Sequence, residues 1–242
     1  MTSLPVLVVE HEAQCPPGWV GEWLADSGCP LDVRRPYRGD PLPDDLAGHR
    51  SLLVLGGSMD ADSDERHPWL PRVRALIRVA ATDRVPVLGI CLGHQLAALA
   101  LGGEVARNPR GQQIGVLAVG WTPAAARDRF LGQLSGTARA VQWNNDVVTA
   151  IPPGTEVLAR AETGEIQAAR FAPSVWGVQW HPEAHAGIVT AWAENDRDSA
   201  ASRGVDVDEY VARVAAATDE LRESWRPLAL AFAALEPEVV PR

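Results

Sequence analysis

The stretch from Val85 to Gly103 constrains the fold more than any other. Val87 to Ile90 is a short apolar run suited to a buried strand. Leu92 to Leu101 is rich in Ala and Leu and has no β-branched residue, which suits a helix, and Gly102-Gly103 ends it. No loop separates strand from helix: only Cys91 stands between them, flanked by Gly89 and Gly93. A junction that tight forces poor backbone angles at its apex, and flanking glycines let neighbouring elements close in on it. The apical side chain is pushed out of the sheet, as at a nucleophile elbow. It also faces the positive end of the following helix, which favours thiolate over thiol. The plainer reading of this stretch is a buried structural cysteine at a strand–helix junction.

A second segment bears on that choice. Trp176-Gly-Val-Gln-Trp-His-Pro-Glu183 reads as a strand through Val178, Gln179 and Trp180, stopped by Pro182. His181 then sits at a strand end, where α/β proteins place chemistry, and Glu183 is near enough to hold its second ring nitrogen. Cysteine, histidine and carboxylate in these roles make a nucleophile, a general base and an orienting group.

Gly89-Ile-Cys-Leu-Gly-His-Gln95 together with Gln179-Trp-His-Pro-Glu183 resembles the class I (triad) glutamine amidotransferase family. The likeness is greatest to stand-alone relatives of the GMP synthase amidotransferase domain. Leu53-Val-Leu-Gly-Gly-Ser-Met59 adds a third match, and the likeness spans roughly residues 4 to 183. The resemblance implies catalytic roles for Cys91, His181 and Glu183, an oxyanion hole from the backbone N–H groups of Gly57 and Leu92, and a substrate contact at Gln95. It also implies glutamine or a related γ-glutamyl compound as substrate; the sequence has no zinc motif and no Gly-rich, Lys-terminated phosphate loop, so no cofactor is expected. Relatives often carry a Trp-His-Gly-Asp-like segment where this chain reads Trp143-Asn-Asn-Asp146, a departure that leaves the triad intact. Nothing after Glu183 is long enough for a fused synthase domain, so an unfused synthase partner and a self-sufficient γ-glutamyl hydrolase both stay open. A non-catalytic scaffold is the third reading.

Net charge is −9 with no basic cluster, against a nucleic acid or anionic membrane as partner. No apolar run approaches the ~18 residues of a membrane span, and no signal pattern opens the chain. Cys15, Cys29 and Cys91 lack metal-like spacing and read as reduced thiols of a cytoplasmic protein.

Strand–helix alternation up to Gly103 predicts a flavodoxin-like, doubly wound, mostly parallel α/β sheet. Leu4 to Val9, Leu31 to Arg35 and Arg50 to Leu55 are its other strands. Trp19, Val20, Trp23 and Leu24 mark one helix, with its tryptophans in the core, and Pro68 to Ala81 is a second. His67, in the loop before that helix, has no assigned role, and His94 reads as a packing or surface residue and not a second base. The acidic run Asp60 to Glu65 reads as a solvated loop, with a rim that repels acidic ligands as the alternative. The leaving-group pocket is expected from the loops Pro36 to Asp45 and Asp60 to Pro68.

Beyond Gly103 the spacing shortens. Glu104 to Arg107, Ile114 to Trp121, Arg139 to Trp143, Thr155 to Ala161, Ile166 to Phe171 and Val175 to Trp180 are expected strands of an antiparallel extension that returns His181 to Cys91. A crossover helix has room only near Ala124 to Leu134. Residues 1–242 are expected to form one domain, with a catalytic core at 1–185 and a helical segment at 186–242 packed on it. An acidic stretch, Glu194 to Glu209, is expected to separate that segment's helical parts.

Overall fold

The computed structural model describes residues 4–134, 136, 139–202 and 204–237. Its first half alternates β1 (Val6–Val9), α1 (Gly18–Asp26), β2 (Leu31–Arg34), β3 (Ser51–Val54), α2 (Leu70–Asp83), β4 (Val87–Ile90) and α3 (Leu92–Ala100). The four strands lie parallel in the order β2-β1-β3-β4. Period-two alternation explains why so short a sheet is apolar on both faces. Val6 and Val8 enter one core with Trp23 of α1, whereas Leu7 and Val9 enter the other with Ile77 of α2 and Leu96 of α3.

The second half holds β5 (Glu104–Arg107), β6 (Gln113–Ala118), β7 (Gly120–Trp121), β8 (Arg139–Asn144), β9 (Asp146–Ala150), β10 (Glu156–Arg160), β11 (Ile166–Ala172) and β12 (Val175–Val178). β5 pairs with β9 and β6 with β8 as two small side sheets. β7, β10, β11 and β12 extend the main sheet, each antiparallel to the next. β12 closes the path by lying parallel to β4, with Val178 opposite Ile90. That register brings the residues after β12 to the carboxyl edge beside Cys91, whose N–H donates to the Val178 carbonyl at 2.8 Å. The mostly parallel α/β sheet with an antiparallel extension is therefore present.

Several expectations need correction. The single strand at Ile114 to Trp121 is two, in different sheets, because buried Val119 turns the chain between them. β9 was not anticipated: Asn144-Asn145 reads as a turn, yet Val147 and Val148 behind it are buried. Ala124 to Leu134 holds two 3₁₀ turns instead of a crossover helix. There the Asp128 carboxylate accepts from Phe130 N and Leu131 N at 2.9 and 2.8 Å, a local cap that competes with helix propagation. The final strand stops at Val178 and not Trp180, since the His181 N–H leaves the ladder for the Val141 carbonyl of β8 at 2.8 Å.

The C-terminal segment forms α4 (Ala186–Ser202), α5 (Val207–Ala216) and α6 (Thr218–Ala234). The acidic stretch separates helices only in its second half: α4 runs through Glu194 and Asp198, which face solvent while Val189, Trp192 and Ala193 are buried, and α5 starts after the N-cap Asp206. α6 docks by Trp225, Leu228 and Phe232, and the Trp225 indole donates to the Arg139 carbonyl at 3.0 Å. The end of the expected helical segment, residues 238–242, lies outside the described residues. No described helix is long and apolar enough to cross a membrane.

Candidate active site

Cys91 has φ 51° and ψ −103°, one of two described non-glycine residues at positive φ. Such a conformation costs about 1–3 kcal/mol and persists only where the surroundings impose it. The flanking glycines show how. A Cβ at Gly93 would lie 2.1 Å from the Val54 carbonyl oxygen of β3, and one at Gly89 would lie 2.4 Å from the Gly93 carbonyl oxygen. Neither glycine has positive φ, so each is required for close backbone approach. They let α3 start flush against the sheet, and Cys91 absorbs the strain.

The His181 ring reaches the same spot from β12. A Cβ on Gly56 would lie 3.1 Å from His181 Cε1 and 3.7 Å from Cys91 Cβ, so both side chains close around that glycine. The Gln179 amide donates to Cys91 Sγ at 3.5 Å, and the Cys91 sulfur lies near enough to His181 to act on its charge. On its far side His181 Nδ1 meets Glu183 Oε1 at 2.7 Å, with both groups buried. The Glu183 backbone is fixed in turn by Trp19 N–H, which donates to its carbonyl at 3.0 Å. Burial alone would lower the imidazole pKa. The Glu183 carboxylate and then the Cys91 sulfur outweigh it and push His181 up to about 10. A sulfur, an imidazole and a carboxylate in this chain of contacts can pass a proton and present a nucleophile.

Replacing Glu183 by Gln removes the charge that holds this proton. The imidazole pKa of Glu183→Gln should fall by about 1–3 units, read by titrating the ring resonances in an NMR spectrum. Since the folded pKa lies above the ordinary value of 6.5, the native pair stabilises the fold fully below that pH. The contribution is lost as pH rises through about 10.

The residues expected at the site gather around one cavity of about 510 Å³. Cys91, His181, Gly57 and Gln95 line it. Leu92 opens α3 beside them, its side chain 2.9 Å from where a Gly57 Cβ would be. Gln95 Nε2 donates to the Asp146 carbonyl at 3.0 Å and to Gln179 Oε1 at 3.3 Å, bracing the wall it belongs to. His94 stays apart. It is buried against Phe171 at 5.1 Å between ring centroids, and burial lowers its pKa to about 4. His67 hydrogen-bonds the Ser63 hydroxyl at 2.9 Å and packs on Trp69.

The expected pocket loops are only half right. Asp60 lines the cavity, but no residue from 36 to 45 does. That loop belongs to the sheet edge, where Arg35 and Tyr37 are tied to Glu10 at 2.9 and 2.7 Å. Its place is taken by α4, which supplies Trp192, Asn195 and Asp196. Trp192 packs on His181 at 4.5 Å and donates to the Gln14 carbonyl at 2.8 Å. No motif surrounds Trp192, so the sequence held no signal for it. Gln179 and Gly56 sat inside recognised motifs, and only the folded chain gives them contacts.

Among the described residues no group of three or more His, Cys, Asp or Glu could hold a metal ion.

The glutamine amidotransferase class-I family matches residues 22–195. Gamma-glutamyl peptidase 4 of Arabidopsis thaliana is 28% identical over 169 residues, 69% of this chain and 66% of that protein. The glutamine-hydrolysing GMP synthase component of Ignicoccus hospitalis, one subunit of that enzyme, is 34% identical over 153 residues, 62% of this chain and 73% of that protein. The crystal structure of a glutamine amido transferase from Methylobacillus flagellatus matches with a TM-score of 0.85 at 30% identity, covering 99% of this chain and 98% of that one.

Proposed function

The chain belongs to the class-I glutamine amidotransferase family, and from that premise we propose that it cleaves the γ-glutamyl amide of glutamine or a related γ-glutamyl compound through a thioester on Cys91. The observation that carries this reading is the convergence of the strained Cys91 and the His181–Glu183 pair on one cavity. The Cys91 sulfur attacks the side-chain carbonyl, and the N–H groups of Gly57 and Leu92 hold the resulting oxyanion. His181, with its pKa near 10, holds a proton at neutral pH and gives it to the departing amine as the C–N bond breaks. It then takes a proton from the water that hydrolyses the thioester, and glutamate leaves. Glu183 keeps the ring in the productive tautomer. Gln95 braces the wall that the γ-glutamyl group meets. The chain works as one domain, because α6 shares the core of the sheet: Trp225 lies 5.1 Å from Trp180 between ring centroids.

Two users of this chemistry differ in the fate of the amine. The GMP synthase component found as a relative supports ammonia delivery to an unfused synthase. The γ-glutamyl peptidase, together with α4 walling the cavity in cis, supports hydrolysis without a partner. Glutamate release by the purified protein from glutamine and from γ-glutamyl dipeptides separates them. Glutaminase turnover that rises only with a cell extract favours the partner, and brisk dipeptide cleavage by the protein alone favours the hydrolase. Inertness toward all substrates, with an unreactive Cys91, leaves a scaffold. The two histidines give a second test. His181→Asn should lose more than about 10³ in kcat, whereas His94→Asn should stay within about tenfold of the parent. Equal losses would remove His181 from its role.

A further inference from the structure

The cavity has more room and more negative charge than glutamine needs. Its volume falls within the range of about 300–1,000 Å³ that holds drug-sized ligands. The glutamyl head carries one ammonium and one carboxylate, so its net charge is zero. Among the described residues the lining supplies four carboxylates (Glu12, Asp60, Asp146 and Asp196) against one guanidinium, Arg107, and the His181 imidazolium, whose charge Glu183 already answers. Arg107 stands between Asp146 at 3.2 Å and Asp60 at 3.6 Å, so it serves those two together. Among the described residues Glu12 is held by neutral donors, Ser58 N–H at 2.8 Å, Ser58 Oγ at 2.7 Å and Cys15 Sγ at 3.3 Å. These orient its charge without cancelling it.

The negative field registers on the neighbouring groups. Burial, then the Glu12 carboxylate, push the Cys15 thiol well above its usual range. Burial, then Asp60 and Asp62, raise the Asp146 carboxyl despite Arg107.

An independent observation points to a nitrogen-bearing ligand. Asn144 is 4% exposed and lines the cavity. Its Nδ2 donates to Gln113 Oε1 and to the Asp146 carbonyl, both at 3.1 Å, which fixes the amide's orientation. Its Oδ1 is buried with no partner. A buried acceptor left without a donor costs about 1–3 kcal/mol, which a ligand N–H would recover. The wall between is aromatic: Trp143 and Trp192 meet edge to face at 5.9 Å. Such a surface suits an aliphatic stem and attracts an ammonium.

We propose that the site takes γ-glutamyl amides whose leaving amine carries a second, cationic nitrogen on an aliphatic stem, the adducts of di- and polyamines. This rests on the hydrolase reading above and names its substrate class. The stem lies along Trp143 and Trp192, the distal ammonium faces Glu12, and Asn144 Oδ1 accepts a hydrogen bond from a substrate nitrogen. The reaction balances without a co-reactant other than water. Cys91 forms the thioester as the amide C–N bond breaks, the amine leaves with the proton from His181, and water releases glutamate.

The test uses the purified full chain and four amides: glutamine, the γ-glutamyl adduct of 1,4-diaminobutane, that of n-butylamine, and that of 4-aminobutyrate. The butylamide has the same stem without a charge, and the aminobutyrate adduct reverses the charge. The diamine adduct should exceed the butylamide in kcat/KM by at least about tenfold, with the aminobutyrate adduct slowest. The ratio should shrink at high salt. Glu12→Gln keeps an oxygen for the Ser58 N–H but removes the charge, and it should cut the diamine-to-butylamide ratio several-fold, with the butylamide rate reporting on folding. A ratio near one, a preference for the anionic adduct, or a ratio untouched by Glu12→Gln overturns the proposal. Turnover of glutamine alone overturns the substrate class and leaves thioester chemistry standing. No turnover of any amide, with Cys91 unlabelled by an electrophilic glutamine analogue, overturns both.

Discussion

Cys91→Ala is expected to abolish labelling by an electrophilic glutamine analogue and to cut glutamate release by about 10⁶-fold, the order found when a covalent nucleophile is removed. The measurement is intact-protein mass after incubation with the analogue, beside a coupled glutamate assay. Stoichiometric labelling of the variant would place the nucleophile elsewhere. Alanine inherits the φ of 51° that Cys91 holds, so its strain remains. Glycine does not resist that region, and Cys91→Gly should be equally inert yet melt higher than Cys91→Ala. If the glycine variant melts lower instead, the elbow is not under tension. The pair of variants separates two properties of one residue: the nucleophilic role proposed for its sulfur, and a backbone held against a local energy cost.

Gly93→Ala is expected to cause the largest loss of stability of any single-methyl change near the site. The new Cβ would meet the Val54 carbonyl oxygen at 2.1 Å, and that atom belongs to the central sheet, not to a side chain that can swing away. Overpacking typically costs about 1–3 kcal/mol. Here the backbone of α3 or β3 must move, so more than about 3 kcal/mol is expected. For a chain of this size that lowers Tm by roughly 6–12 °C, read by thermal denaturation. Gly102→Ala is the contrast with a different cause, since its Cβ would meet nothing within 4 Å and only its φ of 96° resists substitution. A Gly93→Ala protein that melts within a degree of the parent would mean α3 does not sit flush on the sheet.

The first half of the fold was legible because its signals are local. The apolar runs at Val6–Val9 and Val87–Ile90, and the glycines around Cys91, each specify their own element with little help from elsewhere. The site motifs were legible for a related reason: a cysteine at a tight turn and a histidine before Pro182 are unusual in any context. What was not legible depends on distant partners. β9 is a strand because β5 pairs with it, and nothing within Asp146–Ala150 announces that partner. The break at Val119 exists because β6 and β7 join different sheets. Trp192 enters the cavity because α4 packs across its mouth, a placement set by tertiary packing and not by the residues beside it.

The pairing of β4 with β12 has a consequence for how the molecule is made. Val87 and Val175 are partners across 88 positions of chain, so a ribosome-bound product that ends before β12 leaves β4 as a raw edge of a parallel sheet. Such an edge invites association with other chains, and pairings this distant in sequence are slow to form. Until β12 docks, the sulfur has no imidazole beside it. The growing polypeptide is therefore sticky, and the proposed site can assemble only once the chain through Glu183 has left the ribosome.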